Sequence, residues 1–278
     1  MLKDKRIGFV GAGSMSEAIV AGLLTSGEVR PENISLFNRQ NGERIRTLIG
    51  KWNLEPANMS PERVLGSDVV ILAVKPKDLP EVLRRWGSGI RRGQLVLSVA
   101  AGVSTSWIEA RVGEGTAVIR CMPNTSCAVG RSATALAPGS HAGRDEMNVA
   151  RRLFESIGEV TEVDERLMDA VTGLSGSGPA YVYYLAEALE SAGISAGLSR
   201  DAARRLTVQT LLGAAHMLRE TEEPAEMLRR KVTSPGGTTM AGLEVLDRYR
   251  FPEAVREAVL RAAERSVEMG RQLTGFEG

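Results

Sequence analysis

The sequence predicts an α/β fold in which a doubly wound parallel sheet is followed by an all-helical domain. Three observations predict it. Short apolar runs alternate with helical patterns up to residue 163, a glycine-rich turn separates the first run from the first helical pattern, and only helical spacing follows Asp164. We therefore predict two domains, at residues 1–163 and 164–278.

The glycine-rich turn joins a predicted strand to a predicted helix. Ile7–Val10 is a short apolar run, and Ala18–Leu23 continues with helical spacing. Between them, Gly11 permits a tight turn, and Gly13 lets a pyrophosphate approach the N-terminus of the helix. Ser16 replaces the third glycine of the dinucleotide-binding pattern. The pattern predicts a Rossmann-like cofactor site whose turn consists of Gly11, Ala12, Gly13, Ser14 and Met15.

The end of the second predicted strand indicates which dinucleotide binds. Ile34–Phe37 is that strand, and Asn38 and Arg39 follow it where a carboxylate would accept a hydrogen bond from a ribose 2′-hydroxyl. An amide beside a guanidinium can bind a 2′-phosphate, which a carboxylate would repel. We therefore predict that Asn38 and Arg39 bind the cofactor, with NADP(H) preferred over NAD(H). A loop that exposes both side chains to water is the alternative.

Three more apolar runs, at 68–74, 95–99 and 116–120, end in small or turn-forming residues. Ligands of an open parallel sheet bind at the carboxyl ends of its strands. We predict that the first two of these ends contact the cofactor through Ala73, Val74, Lys75, Pro76, Ala100, Ala101 and Gly102. The same half contains predicted helices at 79–85, 104–110 and 145–156 and predicted strands at 133–137 and 160–163.

The second half carries apolar residues at helical spacing in six segments, at 167–171, 181–192, 200–218, 225–231, 240–248 and 254–269. A glycine-serine run, Gly173–Ala180, lies between the first two. We interpret this run as a close approach of the backbone to cofactor or substrate, because glycine permits such contact. A flexible linker is the alternative.

A second turn, Val232–Met240, lies within the helical half. Two glycines follow a proline, hydroxyl residues lie on both sides, and an apolar helical pattern comes next. The backbone N–H groups of such a turn can converge on an anion, so we interpret it as the substrate site. An elaborate helix cap is the alternative.

Composition restricts the class of function. Lys+Arg 35 and Asp+Glu 34 leave a formal net charge of +1, so no overall field attracts nucleic acid or an anionic membrane. We predict neither a signal segment nor a membrane span. Two cysteines and two histidines are too few for a convincing metal site. With only two cysteines, we predict that the thiols are reduced and that the protein is cytoplasmic.

Several of these strings together resemble one family, the pyrroline-5-carboxylate reductases. The resemblance covers nearly the whole chain and is carried by the glycine turn at 11–15, Ala73–Pro76, Ala100–Val103, Arg120–Thr125, Gly173–Tyr181 and, above all, Val232–Thr239. Departures are small. Ser126 stands where the family usually has proline, and Ser16 stands where glycine or alanine is usual. Ser126 could alter the shape of the loop on the nicotinamide side.

The resemblance implies a Rossmann domain followed by an all-helical dimerisation domain, in a homodimer or a ring of dimers. It also implies an active site between the nucleotide domain of one subunit and the helical domain of its partner. In such enzymes the second turn binds the substrate carboxylate, which by position assigns that role to Ser234, Gly236, Gly237 and Thr238. Thr239 takes the place of the threonine that hydrogen-bonds the ring nitrogen, and is the predicted catalytic residue.

The implied reaction is hydride transfer from NAD(P)H to the C=N bond of L-1-pyrroline-5-carboxylate, which gives L-proline. Reducing a protonated imine leaves a neutral amine, so a site with hydroxyls and backbone amides suits it without a strong acid. A β-hydroxyacid dehydrogenase is the nearest alternative, but Val182 and Ala186 stand where that family has lysine and asparagine. A non-catalytic NADP-binding sensor or scaffold is the other, because fold does not fix function.

Overall fold

The computed structural model describes residues 2–38 and 42–275 of the chain. The chain divides into two compact units, of which the first spans Met1–Ser177 and Leu260–Gly278 and the second spans Gly178–Val259. The domain limits predicted from the sequence, 1–163 and 164–278, differ from the limits of these compact units and stay a prediction. Packing explains why the first unit extends past residue 163: Met168 is fully buried and clusters with Ala135 and Ala137, and Val171 packs against this cluster.

The first unit is built on a sheet that contains seven strands among the described residues, in the order β2-β1-β3-β4-β5-β6-β7. These are β1 Ile7–Val10, β2 Ile34–Phe37, β3 Val69–Leu72, β4 Leu95–Ser98, β5 Ala117–Met122, β6 Ser132–Pro138 and β7 Gly158–Glu162. The strands at the centre are apolar throughout because both faces of the sheet are covered. Alternate residues of β3 show this: Val69 and Ile71 belong to one apolar cluster, and Val70 and Leu72 belong to another.

One pairing in the sheet is antiparallel. The predicted parallel order holds from β2 through β5, but β6 runs antiparallel to β5. The connection between them, residues 123–131, is too short for the crossover that a parallel pair needs, and it contains only a short 3₁₀ turn at Thr125–Val129. β7 then pairs with β6 in parallel.

The helices of the first unit follow the predicted positions, with two additions. They are α1 Ser14–Thr25, α2 Gly42–Trp52, α3 Pro61–Leu65, α4 Leu79–Trp86, α5 Thr105–Glu109, α6 Arg144–Glu155 and α7 Met168–Val171. The sequence prediction missed α2 and α3. In α2, Ile45, Leu48, Ile49 and Trp52 occur at helical spacing and pack in the core, so a signal was present in the sequence.

The glycine-serine run Gly173–Ala180 is helical rather than an extended linker. Thr172–Gly176 forms one π-helical turn, and the next helix begins at Gly178. The helices that follow are α8 Gly178–Ser195, α9 Arg200–Thr221, α10 Ala225–Lys231, α11 Thr238–Arg248 and α12 Phe251–Thr274. The last of these contributes residues to both compact units.

The second unit leaves large apolar side chains uncovered in the single chain. Tyr184 is 77% exposed, Tyr249 is 78% exposed, and Leu206 on α9 is 57% exposed. Exposed apolar side chains of this size on a helical unit favour association. No helix within residues 2–38 and 42–275 is long and apolar enough to cross a membrane.

Candidate active site

The glycine turn has the backbone that the sequence predicts at its first position. Gly11 adopts φ +109°, and a Cβ at this position would overlap the carbonyl group of Ala73, whose carbon would lie 2.8 Å away. Its N–H donates to the carbonyl of Phe37 at 2.8 Å. The turn is therefore fixed between the ends of β2 and β3, and glycine is required there for both conformation and space.

The third residue of the turn faces open space. Gly13 is the N-cap of α1 and has no side chain to satisfy the first N–H groups of that helix. A Cβ on Gly13 would meet no heavy atom within 4 Å. The protein itself thus does not require glycine here, whereas a pyrophosphate on the helix N-terminus would, since it must approach the backbone closely. Ser14 and Met15 supply the first N–H groups of the helix.

Ser16 explains why the chain tolerates the loss of the third glycine. Its side chain is fully buried, and its hydroxyl donates to the carbonyl of Gly11 at 2.8 Å. A small side chain therefore still allows close packing of α1 on the sheet, and it adds a hydrogen bond across the turn.

A groove open to solvent lies beside the carboxyl ends of β1, β2 and β3. It is lined by Val10, Gly11, Phe37, Asn38, Val74, Asp78, Glu81, Val82, Arg85 and Trp86. The rings of Phe37 and Trp86 meet edge to face with centroids 4.8 Å apart. The groove has the apolar wall and polar rim that suit a flat heterocycle with an attached sugar.

The groove brings together some of the predicted cofactor residues and adds others. Gly11, Asn38 and Val74 line it as predicted contributors. Arg39 lies outside the described residues. Sequence reasoning missed Val82, Arg85 and Trp86, because only the packing of α4 beside the strand ends brings them to the groove.

A cationic cluster of Arg44 and Lys51 fastens α2 to the glycine turn. The Nε–H of Arg44 donates to the carbonyl of Ala12 at 3.2 Å, and its guanidinium also pairs with the carboxylate of Glu17. Lys51 pairs with the other oxygen of that carboxylate at 2.7 Å. Hydrogen bonds from Lys51 and Arg44 lower the pKa of Glu17, although burial acts in the opposite direction.

The ends of β3 and β4 lie side by side. The N–H of Val99, after β4, donates to the carbonyl of Leu72 in β3 at 3.2 Å. The N–H of Ala73, after β3, donates to the carbonyl of Val10 in β1 at 2.9 Å. After β3, Lys75 is exposed and Pro76 begins a 3₁₀ turn that leads into α4. After β4, Ala100 is buried, Ala101 is half-buried and Gly102 turns the chain at φ +76°.

Asn124 closes the loop that follows β5. Its side chain accepts from the N–H of Ser126 at 3.1 Å and donates to the carbonyl of Ser175 at 3.0 Å. The loop is thereby tied to the π-helical turn, where a Cβ on Gly176 would lie 2.6 Å from Met122. The Met122 atom concerned is the terminal methyl group of a flexible side chain, so packing within the first unit does not by itself require glycine at 176.

The second turn lies wholly in the second unit and is exposed in the single chain. Gly236 adopts φ +71°, Gly237 is the N-cap of α11, and its N–H donates to the carbonyl of Ser234 at 3.0 Å. Thr238 and Thr239 occupy the first turn of α11, where N–H groups lack intrahelical partners. Both threonines are exposed, and within the described residues neither hydroxyl has a hydrogen-bond partner.

Comparison with known proteins adds to this geometry. A family model for an NADP oxidoreductase, coenzyme F420-dependent, matches residues 6–102, and a model for pyrroline-5-carboxylate reductase dimerisation matches residues 165–269. The chain is 44% identical over 271 residues to pyrroline-5-carboxylate reductase 2 of Bacillus subtilis, covering 98% of this chain and 97% of that protein. It is 40% identical to the pyrroline-5-carboxylate reductase of Methanosarcina acetivorans, covering 98% and 100%.

Solved structures agree. The chain is similar to the Plasmodium falciparum pyrroline carboxylate reductase with NADP bound, at a TM-score of 0.86 and 30% identity, covering 97% of this chain and 100% of that one. Fold and glycine turn define the class, a dinucleotide-binding oxidoreductase with a helical second domain. Within that class, the chain belongs to the pyrroline-5-carboxylate reductase family.

No group of three or more His, Cys, Asp or Glu side chains in the described ranges could hold a metal ion. Cys121 and Cys127 are both buried and unpaired. Burial raises the pKa of both thiols, so neither is an activated nucleophile at neutral pH.

Proposed function

We propose that this protein reduces L-1-pyrroline-5-carboxylate to L-proline with NADPH as the preferred hydride donor. One observation carries the proposal: the chain matches a model for pyrroline-5-carboxylate reductase dimerisation over residues 165–269, and this range includes the turn from Ser234 to Thr239, which exposes two adjacent threonines at the start of α11. Family membership over nearly the whole chain supports the same reaction, because the relatives that match it bear this name.

The fit of the cofactor rests on the first unit. Gly13 leaves space for a pyrophosphate at the start of α1, and the groove at Phe37 and Trp86 offers an aromatic wall to the adenosine half. When bound, the nicotinamide supplies the hydride. The turn at Gly11 to Met15 binds and orients the phosphates, and Asn38 with Arg39 is proposed to recognise the 2′-phosphate. The ends of β3 and β4 are proposed to orient the reacting half.

The chemistry asked of the second turn is modest. The backbone N–H groups of Thr238 and Thr239, with the hydroxyl of Ser234, bind the substrate carboxylate. Gly236 and Gly237 shape the turn around it, since their own N–H groups donate to the sulfur of Met240 and the carbonyl of Ser234. The hydroxyl of Thr239 accepts from the protonated ring nitrogen and orients the imine carbon. The C=N bond gains a hydride at carbon, and its electron pair neutralises the nitrogen cation, so no side chain delivers a proton in that step. Orientation is the main contribution to rate.

The proposal includes a homodimer and a cytoplasmic location. The exposed apolar helices of the second unit and the match to a dimerisation model support association. The two unpaired, buried cysteines are compatible with a reducing compartment.

The test is the loss of NADPH absorbance when pyrroline-5-carboxylate is added, repeated with NADH. We expect turnover with both and a higher kcat/KM with NADPH. A 3-hydroxy acid with NADP⁺ is the control for the alternative dehydrogenase. Turnover of the hydroxy acid alone, or of neither substrate despite tight NADPH binding, would contradict the proposal.

A further inference from the structure

The C-terminal part of α12 lies against the turn that follows β4, backbone to backbone. A Cβ on Gly270 would overlap the carbonyl oxygen of Gly102 and lie 3.0 Å from its carbonyl carbon. Conversely, a Cβ on Gly102 would lie 2.6 Å from the carbonyl oxygen of Ser266 and 3.0 Å from the N atom of Gly270. The approach exists only because both residues lack side chains.

A second contact fixes the same part of the helix. The hydroxyl of Ser266 donates to Oδ1 of Asp169 at 2.7 Å, and that oxygen also accepts from the guanidinium of Arg120 at 2.8 Å. Ser266 is 2% exposed and Arg120 is 5% exposed, so the bonds compensate for the burial of a charge and a hydroxyl. Arg120 pairs in register with Ser98, the last residue of β4.

Two contacts therefore fix this part of α12: one is to the turn that follows β4, and the other is to Asp169, which pairs with Arg120 on the neighbouring strand β5. Gly102 itself adopts φ +76°, which glycine populates freely, so a side chain at this position would be both strained and crowded by α12. The groove lined by Phe37 and Trp86, proposed to bind adenosine, lies at the ends of β1, β2 and β3. The ends of β4 and β5 are therefore the place for the nicotinamide half of the dinucleotide.

We propose that Gly270 and Ser266 are positioning residues for hydride transfer: through Gly102 and Asp169 they set the Ala100–Gly102 turn against the nicotinamide half of the cofactor. The proposal rests on the proposed function for its kinetic readout. Neither residue touches cofactor or substrate in this account. They act on the turn, so their loss affects the geometry of the reacting end more than the affinity for the whole dinucleotide.

The test compares three variants of the full-length chain. Gly270→Ala places a methyl group into the carbonyl of Gly102, and Ser266→Ala removes the bond to Asp169 without adding bulk. Gly50→Ala is the matched control, because it is the same change in a helix of the first unit and its Cβ would meet nothing within 4 Å. The stoichiometry of NADPH binding counts the folded sites, and Kd reports their affinity. The value of kcat is then expressed per folded site.

For Gly270→Ala we expect kcat to fall about tenfold, since small misplacements of reacting atoms have effects of this size, while Kd for NADPH changes less than about threefold. The kinetic isotope effect with NADPH deuterated at the transferred position should rise, because chemistry becomes slower than the other steps. Ser266→Ala should show the same pattern with a smaller loss, and Gly50→Ala should match the wild type. A general loss of folding would lower stoichiometry and leave the isotope effect unchanged.

Wild-type kcat per site and isotope effect in Gly270→Ala would overturn the proposal. If that variant does not fold, unchanged values in Ser266→Ala would overturn it equally. The fluorescence of bound NADPH reports on the nicotinamide environment without turnover. If the wild type fails to reduce pyrroline-5-carboxylate, the proposed function fails, whereas an emission change in Gly270→Ala but not in Gly50→Ala still supports the positioning role.

Discussion

The two glycine turns of this chain differ in how much of their environment the chain itself supplies. The turn at Gly11 to Met15 is held by the strand ends around it, by the buried hydroxyl of Ser16 and by Arg44. The turn from Ser234 to Thr239 is mostly exposed in the single chain. The chain thus supplies the surroundings of the first turn and leaves most of the second turn open to solvent.

The largest expected effect is at the exposed turn. Thr239→Ala removes the hydroxyl proposed to accept from the ring nitrogen, and a hydrogen bond to a charged group corresponds to a loss of about 10- to 100-fold in kcat. Kd for NADPH should not change, because the cofactor turn is in the other unit. Thr239→Ser keeps the hydroxyl and is the control. Equal turnover in the alanine and serine variants would remove Thr239 from the mechanism.

In the turn at Gly11 to Met15, Gly13→Ala separates the effect on cofactor binding from the effect on stability. The new methyl group meets no protein atom within 4 Å, so the Tm should stay near that of the wild type. It would occupy the space proposed for the pyrophosphate, and KM for NADPH should rise about tenfold, which corresponds to about 1.4 kcal/mol. Initial rates at varied NADPH concentration and a thermal melt measure the two quantities. A normal KM would show that the pyrophosphate does not approach Gly13.

Arg39→Asp addresses the choice between the two nicotinamide cofactors. Replacing a guanidinium by a carboxylate would remove the proposed bond to the 2′-phosphate and repel that group. We expect the kcat/KM ratio of NADPH to NADH to fall about tenfold or more. Arg85→Ala, in the groove lined by Phe37 and Trp86, is the comparison for loss of a guanidinium. An unchanged ratio in Arg39→Asp would show that Arg39 does not recognise the phosphate.

The smallest effect concerns pH. Hydrogen bonds from Lys51 and Arg44 lower the pKa of Glu17 in the folded protein, so its contribution to stability is full above the unfolded value of about 4.3 and is lost as the pH falls through the folded value. The contribution is under about 1 kcal/mol for such a partly exposed pair. The difference in Tm between wild type and Glu17→Gln should shrink from pH 6 towards about pH 3. A constant difference would contradict the linkage.

The two turns also differ in how far the sequence alone predicts them. The Gly11 turn was predictable because strand, glycine pattern and helix are adjacent in sequence, and buried runs such as Val69–Leu72 are unambiguous. The antiparallel direction of β6, the Trp86 wall and the bonds of Arg44 to Ala12 and Glu17 depend on residues far apart in sequence. The role proposed for Thr239 came from resemblance, since a helix start alone does not specify a substrate.

A crystal structure of the protein with NADP⁺ and proline bound would test the proposed substrate site most directly. We predict the proline carboxylate on the N–H groups of Thr238 and Thr239, its ring nitrogen within hydrogen-bond distance of the Thr239 hydroxyl, and its reacting carbon facing the nicotinamide. A proline bound away from the Ser234–Thr239 turn, with that turn still exposed to solvent, would contradict the central claim.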